Sequence, residues 1–378
     1  MAQPRIPVSI ITGFLGAGKS TLLNQLLKDP DMQDAAIIIN EFGDVSIDHL
    51  LVARSGDGII ELAEGCLCCT VRGELVDTLA ELMDGIQTGK LKAVNRVVIE
   101  TTGLADPAPV MQSIIGNPVI SQNFSLNGMV TVVDAVNGLA TLDNHPEAVK
   151  QVAVADRLVL TKRKLSTEAQ ISALTTRLLS LNPRATIEDG DVDGWKAVAL
   201  LENGLYDATN KMGDVARWLG EEAHHDHHHH DHSHDHDHHH GDHGHHHHDV
   251  NRHNASIRSF SIVHDKPIDP MAIEMFIDLL RSAHGEKLLR MKAIVQLSDN
   301  PDRPLVLHGV QSIFHSPQRL AEWPDPADRR TRMVLITDGL PEAFVKDLFG
   351  AFTGAVNVDR PDRQAVTDNP LAVPGMRF

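Results

Sequence analysis

The segment GFLGAGKST, which spans Gly13–Thr21, decides the fold of this chain. Its spacing, Gly-x-x-x-x-Gly-Lys-Ser, is the Walker A pattern of a phosphate-binding loop. The apolar run Val8–Thr12 precedes it and the amphipathic pattern Lys19–Lys28 follows it, so the loop joins a predicted strand to a predicted helix. A glycine-rich turn that merely precedes Lys-Ser is the alternative, and the two flanking elements argue against it.

The residue types in this loop suit phosphate chemistry. Glycines allow backbone N–H groups to close around phosphate oxygens, Lys19 is expected to neutralise the β and γ phosphates, and Ser20 is expected to bind Mg²⁺. The predicted phosphate-binding residues are Gly13, Gly16, Ala17, Gly18, Lys19, Ser20 and Thr21.

Short apolar runs alternate with amphipathic ones through the first part of the chain. Buried strands that alternate with helices are typical of a doubly wound, mainly parallel α/β sheet, so we predict a P-loop NTPase fold for residues 1–220. The predicted strands are Val8–Thr12, Ala36–Asn40, Arg96–Glu100, Met129–Asp134 and Arg157–Thr161, and the predicted helices include Lys19–Lys28, Arg72–Gln87 and Glu168–Leu179.

A second block, residues 255–350, has its own strand and helix patterns and predicts a smaller α+β domain. Residues 221–254 separate the two blocks, and residues 351–378 form a tail that we expect to be loose. In the second block the predicted strands are Ser256–His264, Leu288–Leu297, Leu305–Ser312 and Arg332–Thr337, and the predicted helices are Met271–Ala283 and Pro341–Phe349.

Two acidic stretches follow predicted strands, where the γ-phosphate of a nucleotide would lie. NEFGDVSID (Asn40–Asp48) occupies the place of a switch loop, and ETTG (Glu100–Gly103) follows the third strand. An acidic residue in either stretch alone could be an ordinary carboxylate at the end of a strand. Together with a Walker A loop, the two stretches indicate a role at the γ-phosphate and Mg²⁺. The predicted Mg²⁺ ligands are Ser20, Asp48 and Glu100, and the predicted catalytic residues are Lys19 and Glu100.

All three cysteines lie in EGCLCC, as Cys66, Cys68 and Cys69. Thiolates are preferred ligands of Zn²⁺ and similar ions, but three cysteines cannot close a four-cysteine structural site. The cluster therefore predicts an open site for a metal that must be released again, with Glu41, a histidine, water or a partner as a further ligand. Packed cysteines and a redox centre are the alternatives, and a Cys68–Cys69 disulfide would be strained.

Seventeen of the 24 histidines lie between His224 and His248, a tract without Lys or Arg. It has almost no apolar residues to offset the entropy of ordering, so we expect a disordered linker. Imidazoles bind Zn²⁺, Co²⁺, Ni²⁺ and Cu²⁺, which predicts weak, exchangeable sites; a solvated linker is the alternative. The predicted auxiliary metal ligands are His224, His225, His227, His228, His229, His230, His245, His246, His247 and His248.

Composition argues against several classes of protein. The net charge is −17, and residues 221–249 contribute −8 of it, so the rest of the chain carries −9, which argues against general nucleic-acid binding. No apolar run reaches membrane-spanning length, and the N-terminus lacks a signal-peptide layout. Because three clustered cysteines are no disulfide framework, we expect a cytoplasmic protein.

These segments together resemble the CobW-type metallochaperone GTPases, P-loop proteins of the class that includes the hydrogenase and urease nickel-insertion GTPases. The resemblance covers nearly the whole chain, including the internal His-rich linker and the C-terminal stretches LLRMKAIVQL and LVLHGVQ. The other matching segments are Gly13–Asn24, Asn40–Asp48, Gly65–Cys69, Glu100–Pro107, Thr131–Ala135, Gln151–Lys162 and Leu181–Ile187.

The resemblance implies that GTP and Mg²⁺ order a switch whose state sets the metal affinity of the C-x-C-C motif. By reciprocity, a metal that binds more tightly with GTP also tightens GTP. Hydrolysis would then release zinc, cobalt or nickel to a client metalloprotein. The resemblance also places Thr161 and Lys162 against the nucleotide base.

One segment departs from the family pattern. Where the family has Asn/Thr-Lys-x-Asp to recognise guanine, this chain has Thr161-Lys162-Arg163-Lys164. Lysine has only donors and cannot accept the two guanine hydrogen bonds, a loss of roughly 2–4 kcal/mol, or on the order of 30- to 1000-fold in discrimination. Three outcomes stay open: a second acid substitutes, ATP competes, or specificity is relaxed.

Three functions compete at this point. A GTP-hydrolysing zinc or cobalt metallochaperone is the leading hypothesis, with cobalt delivery for cobalamin synthesis as one form of it. A nucleotide-gated zinc buffer without significant turnover is the closest rival. A small-molecule kinase is weakened by the C-x-C-C motif, since phosphoryl transfer does not need it.

Overall fold

A computed structural model describes residues 5–39, 50–52, 60–61, 71–192, 196–201 and 256–354. Its N-terminal part is an α/β structure built on one sheet. The strands are β1 (Ile6–Gly13), β2 (Ala35–Ile39), β3 (Leu50–Val52), β4 (Ile60–Glu61), β5 (Arg96–Glu100), β6 (Phe124–Asp134), β7 (Arg157–Thr161) and β8 (Thr186–Asp189). The helices are α1 (Lys19–Leu26), α2 (Val71–Gln87), α3 (Ala108–Gly116), α4 (Pro118–Asn123), α5 (Gly138–Asn144), α6 (Pro146–Ala153), α7 (Glu168–Leu181) and α8 (Ala197–Leu201).

The strand order of this sheet is β4-β3-β2-β5-β1-β6-β7-β8. Six of these strands are parallel, and β3 and β4 extend the β2 edge in antiparallel fashion. The doubly wound, mainly parallel fold and the five strands predicted for it are confirmed. The chain runs from β1 to β2 and β5 on one side of β1 and then crosses to β6 on the other side. Because the direction reverses there, a crevice opens at the carboxyl end of β1, between β5 and β6.

The C-terminal part is an antiparallel sheet with two helices on one face. Its order is β12-β11-β10-β14-β9, with β13 beside β11. The elements are β9 (Ile257–His264), α9 (Pro270–His284), β10 (Leu288–Val295), β11 (Leu305–Val310), β12 (Ile313–Phe314), β13 (Gln318–Arg319), β14 (Thr331–Asp338) and α10 (Glu342–Thr353).

The last helix departs from the boundary expected at residue 350. The α10 helix continues to Thr353 and ends at Gly354, whose φ of 72° is the left-handed C-cap conformation that glycine favours. The helix continues because Phe349 belongs to the core of this part and packs edge-on against Phe276, with ring centroids 5.3 Å apart. Residues 351–353, which we expected to belong to the loose tail, are therefore part of this helix.

The two faces of the C-terminal sheet have different partners, as the alternation of side chains along a strand requires. Met291 and Ala293 of β10 pack under the helices. Val310 and Ile336, on the other face, join the core formed by α2, α3 and the N-terminal sheet. The C-terminal part thus has its own core and also shares a second one with the N-terminal part.

A buried ion cluster lies in this shared interface. The Asp156 carboxylate accepts hydrogen bonds from Arg290 and Lys292, each at 2.5 Å, and from the backbone N–H of Met129 at 2.9 Å. Arg290 also donates to the carbonyl oxygen of Val154. Burial raises the pKa of Asp156, but the positive charges of Arg290 and Lys292 outweigh that effect and lower the pKa to about 2. The cluster therefore carries ionised groups at neutral pH.

His315, a histidine that follows β12 and lies beside His308 of β11, predicts acid sensitivity. Burial lowers the pKa of His315 to about 4, and the charges of Arg5 and Arg290 act in the same direction, partly opposed by Asp156. An unfolded histidine has a pKa of about 6.5, so the unfolded chain binds the extra proton first. The contribution of His315 to stability is therefore complete above about pH 6.5 and falls by at most about 3 kcal/mol as pH drops toward about 4.

Urea unfolding between pH 4 and pH 8 measures this effect, with the variant His315→Gln as the comparison. Glutamine does not titrate, so the variant should show a flatter dependence of stability on pH between about 6.5 and 4. Parallel curves for the two proteins would assign the acid sensitivity to other groups.

Candidate nucleotide-binding site

The sheet topology brings distant segments of the chain to one edge. Carboxyl ends of parallel strands share an edge of the sheet, so the residues that end these strands meet there. This edge holds the loop after β1, Glu100 at the end of β5, Asp134 at the end of β6, Thr161 at the end of β7 and Asp189 at the end of β8.

The loop after β1 has the backbone geometry that its glycines permit. The φ angles of Gly13, Gly16 and Gly18 are 143°, 72° and 97°. The backbone N–H of Ala17 donates to the carbonyl oxygen of Phe14 at 3.1 Å, which closes the turn. Helix α1 begins directly after Gly18, so its first-turn N–H groups, which lack intrahelical acceptors, lie at the loop.

Gly13 is the glycine whose replacement we expect to disturb the site most. A Cβ built there would lie 2.3 Å from the carbonyl oxygen of Val132 on β6. Gly13→Ala should therefore lower the free energy of unfolding by about 3 kcal/mol or more, because of backbone strain and displacement of β6. Gly89→Ala is the matched control, since Gly89 also has a positive φ, 72°, but has open space around its Cβ position. It should cost about 1 kcal/mol; chemical denaturation of both variants measures the difference, and equal losses would contradict the steric argument.

Ser20 and Glu100 meet beside the loop. Ser20 Oγ donates to Glu100 Oε1 at 2.8 Å, although 80 residues separate them in the sequence. Glu100 is buried, with 5% of its surface exposed. Lys19 Nζ lies over the loop and donates to the carbonyl oxygen of Phe14 at 3.4 Å. The structure thus brings together the two residues predicted as catalytic and two of the three predicted Mg²⁺ ligands.

The segment after Glu100 fits closely against the phosphate loop. A Cβ at Gly103 would lie 2.6 Å from the backbone nitrogen of Leu15, so only glycine fits without displacement. Gln151 of α6 is buried and donates to the carbonyl oxygens of Gly103 and Ala105, at 3.1 and 3.0 Å. These contacts fix the segment between the phosphate loop and α6.

Thr161 and Lys162 close the other side of the loop. Thr161 Oγ1 donates to the carbonyl oxygen of Ala17 at 2.6 Å. Lys162 Nζ donates to the carbonyl oxygen of Gly16 at 2.8 Å and to Asp134 at 2.7 Å. Burial raises the pKa of Asp134, but hydrogen bonds, chiefly from Lys162, outweigh it and hold the pKa below its ordinary value. The predicted base-side pair is therefore in contact with the phosphate loop.

Three residues of this site carried no predicted role. Asp134 lies in TVVDA and Gln151 begins QVAVADRLVLTK, two segments that matched the family pattern, so the resemblance could have drawn attention to them. Asp106 accepts from Lys150 at 3.1 Å and from the backbone N–H of Ala108 at the start of α3. Asp106 also lies in a matching segment, Glu100–Pro107, but its position before a helix is equally that of an ordinary helix-capping acid.

The predicted transition-metal residues lie outside the described ranges. These are Glu41, Cys66, Cys68, Cys69 and the ten tract histidines, and the predicted Mg²⁺ ligand Asp48 also lies outside. Within the residues that the structure describes, no three His, Cys, Asp or Glu side chains group as a metal site.

A cavity of about 960 Å³ opens between the phosphate loop and the segment after β5. Lys19, Ser20, Glu100 and Asp106 are among the residues that line it. A doubly wound parallel sheet with a Walker A loop at its crevice, an acid at the next strand end and a Thr-Lys pair against the loop define a P-loop nucleotide-binding protein.

The chain belongs to the CobW/HypB/UreG family, which confirms the resemblance. Residues 7–189 match the model described as "CobW/HypB/UreG, nucleotide-binding domain", and residues 257–353 match "Cobalamin synthesis protein cobW C-terminal domain". The chain is 32% identical over 350 residues to the Escherichia coli (strain K12) protein "Zinc chaperone YjiA", which covers 91% of this chain and 98% of that protein. It is 30% identical over 363 residues to "Zinc chaperone CobW" of Sinorhizobium sp, covering 88% of this chain and 93% of the relative.

A solved structure supports the same relationship. The structure described as "Crystal structure of Zn(II)-bound YjiA GTPase from E. coli" superposes with a TM-score of 0.63 and 28% identity, over 93% of this chain and 99% of that chain. Separately, among the helices that the structure describes, none combines the length and apolar character needed to cross a bilayer.

Proposed function

We propose that this chain is a GTP hydrolase that acts as a zinc or cobalt metallochaperone and passes the metal to a client metalloprotein. The contact between Ser20 and Glu100, beside Lys19, is the observation that carries the proposal. A hydroxyl, a buried carboxylate and a lysine around one cavity are the groups that phosphoryl transfer from a nucleotide requires. The names of the relatives, both zinc chaperones, favour zinc as the metal.

The residues at this point fit Mg²⁺. Mg²⁺ binds hard oxygen ligands, usually one or two carboxylates together with phosphate oxygens and water. Ser20 and Glu100 supply a hydroxyl and a carboxylate, and Asp48 remains a proposed third ligand. When bound, Mg²⁺ would neutralise charge on the β and γ phosphates. Glu100 would also orient the water that attacks the γ-phosphate, and Lys19 would neutralise the phosphate oxygens.

Side-chain contacts connect the segment after β5 to the C-terminal part, and a change of bound nucleotide would act through them. The segment Glu100–Asp106 leads into α3, where Gln112 donates to Gln311, in the turn between β11 and β12, at 2.6 Å. The α6 helix contacts the same segment through Gln151 and ends beside Val154, which accepts from Arg290. A rearrangement of the segment on loss of the γ-phosphate would therefore act on the surface that supports the C-terminal part.

The metal is proposed to bind at Cys66, Cys68 and Cys69, with Glu41 as a further ligand. Three thiolates leave the site open, as a metal that is transferred requires. The histidines between His224 and His248 would add weak sites that supply this one. Because the affinity order of divalent ions alone would favour Cu²⁺, availability in the cell would decide between zinc and cobalt.

A zinc titration tests the proposal. It uses the full chain and a variant lacking residues 224–248, each without nucleotide, with a non-hydrolysable GTP analogue and with the ATP analogue. We expect zinc to bind more tightly with the GTP analogue and GTP turnover to be faster with zinc, by reciprocity. Equal zinc affinities in all three conditions, together with no turnover, would favour a zinc buffer and contradict the chaperone.

The cysteines can be tested separately from the histidines. Replacing Cys66, Cys68 and Cys69 with serine should remove one tight zinc site and leave the weak sites, because the serine hydroxyl replaces a thiolate poorly. Deletion of residues 224–248 is the complementary variant and should lower zinc capacity while GTP turnover continues. Calorimetric zinc titration of both variants measures this, and survival of tight binding in the serine variant would move the tight site to the histidine tract.

A further inference from the structure

The segment that lacks the family's guanine-binding acid is held by an acid from the turn after the next strand. This acid is Asp191, which lies in the turn after β8. One carboxylate oxygen accepts from the backbone N–H of Lys162 at 2.9 Å, and the other accepts from the backbone N–H of Lys164 at 3.1 Å. The Asp191 carboxylate thus lies along the segment in which Lys164 stands where the family has aspartate.

This carboxylate is fixed beside the nucleotide site. The segment it contacts touches the phosphate loop through Thr161 and Lys162. The backbone N–H of Asp191 donates to Asp189 at 2.9 Å, and Asp189 forms an ion pair with Arg163 at 2.6 Å. Asp189 is therefore neutralised by a guanidinium, while Asp191 receives only the partial charges of backbone donors from this segment.

The chemistry of Asp191 suits a guanine base. A carboxylate has about four lone-pair positions, so each oxygen that accepts one backbone N–H can accept a second hydrogen bond. Guanine presents two adjacent donors, N1–H and the N2 amino group, whereas adenine presents an acceptor at N1. The ammonium group of Lys164 has only donors and cannot make these bonds.

Exposed apolar side chains lie on both segments that Asp191 connects. Leu165 is 76% exposed and Val192 is 54% exposed. A base that binds between these segments would cover apolar surface that is otherwise in contact with water, which favours binding whatever the base. Discrimination between bases then depends on the hydrogen bonds.

We infer that Asp191 supplies the carboxylate that recognises guanine, in place of the acid missing at Lys164. This inference rests on the proposed nucleotide-binding function. If Asp191 recognises guanine, the chain prefers guanine nucleotides even though Lys164 replaces the aspartate on which that preference normally depends. Asp191 is thus a specificity-determining residue that comes from the turn after β8 rather than from the segment after β7.

Calorimetric titrations with GDP, ADP and xanthosine diphosphate test the inference on the full chain and on Asp191→Asn. The full chain should prefer GDP to ADP by at least about 30-fold. Asp191→Asn should lower GDP affinity by about 30- to 1000-fold, since the amide cannot accept both guanine donors. The same variant should gain affinity for xanthosine diphosphate, because its amide N–H can donate to the carbonyl oxygen that replaces the N2 amino group.

Inosine diphosphate provides a check that needs no variant. Inosine lacks the N2 amino group, so the full chain should bind it about 10-fold or more weakly than GDP if two donors meet one carboxylate. Equal affinity for the two would overturn the paired contact.

The outcomes separate this inference from the proposed function. No binding of GDP or ADP to the full chain would contradict the nucleotide-binding function itself. Equal GDP and ADP affinities, or an unchanged preference in Asp191→Asn, would overturn only the role of Asp191. If Asp191→Asn binds neither GDP nor xanthosine diphosphate, the added change Lys164→Asp must restore GDP binding. Failure to restore it would assign Asp191 to holding the segment rather than to the base and would overturn the inference.

Discussion

Replacing Lys19 with alanine should weaken GTP binding by at least about 100-fold and abolish hydrolysis. The Lys19 ammonium lies at the phosphate loop, and the variant would lose charge-assisted hydrogen bonds to two phosphates, worth roughly 1.5–3 kcal/mol each. At about 1.4 kcal/mol for each tenfold change, two such bonds account for the expected loss. Calorimetry with GTP and Mg²⁺ measures the affinity, and release of inorganic phosphate measures turnover.

The control for this variant is Lys90→Ala. Lys90 is exposed in the turn after α2, far along the chain from the loop, and its replacement removes the same charge from the protein. Its GTP affinity should stay within about twofold, because exposed charges act weakly at a distance in physiological salt. Unchanged GTP affinity in Lys19→Ala would remove the phosphate-loop assignment, and an equal loss in both variants would indicate a general charge effect.

The sequence predicts the nucleotide-binding half of the fold well because its strongest signals are local. A buried parallel strand is a continuous apolar run, and the Walker A loop states where β1 ends and α1 begins. The short strand β8 was not predicted, since its residues Thr186–Asp189 are half-buried or exposed and form no apolar run. The same reason hides Asp191, because a loop acid after an unrecognised strand has no place in the topology.

Contacts between distant segments are the part of the site that the sequence does not predict. Ser20 and Glu100 were predicted separately, each from its own motif, and the structure shows that they touch. Gln151 and Asp156 lie in the segment Gln151–Lys162, which matched the family pattern, but that match gives neither residue a partner. Their side chains contact other segments, up to 136 residues away in the sequence. A single sequence does not show which distant residues come into contact.

Asp156→Ala should destabilise the folded chain by about 3–5 kcal/mol, the largest loss of stability that we expect from a single polar residue. The carboxylate is 4% exposed and neutralises Arg290 and Lys292, whose side chains are 6% and 12% exposed. Its removal leaves two cations in a site with little access to water, and it also removes the acceptor for the backbone N–H of Met129. Urea unfolding at pH 7 measures the change.

A matched exposed pair separates burial from charge. Asp302 pairs with Arg329 at 2.7 Å, but its side chain is 80% exposed, so Asp302→Ala should lower the free energy of unfolding by less than about 1 kcal/mol.

A second control removes the buried cations first. In a chain that already carries Arg290→Met and Lys292→Met, the further change Asp156→Ala should destabilise the fold far less than in the natural chain, because no buried cations remain to be left without a counter-ion. An equal cost in both backgrounds would show that the bond to Met129, rather than the ion cluster, holds this interface together.

The ion cluster joins the end of α6 to the C-terminal sheet. The variants that lack it should therefore also weaken any effect of bound nucleotide on the C-terminal part. Hydrogen exchange of the amides in that part, measured with and without GTP, would detect this effect.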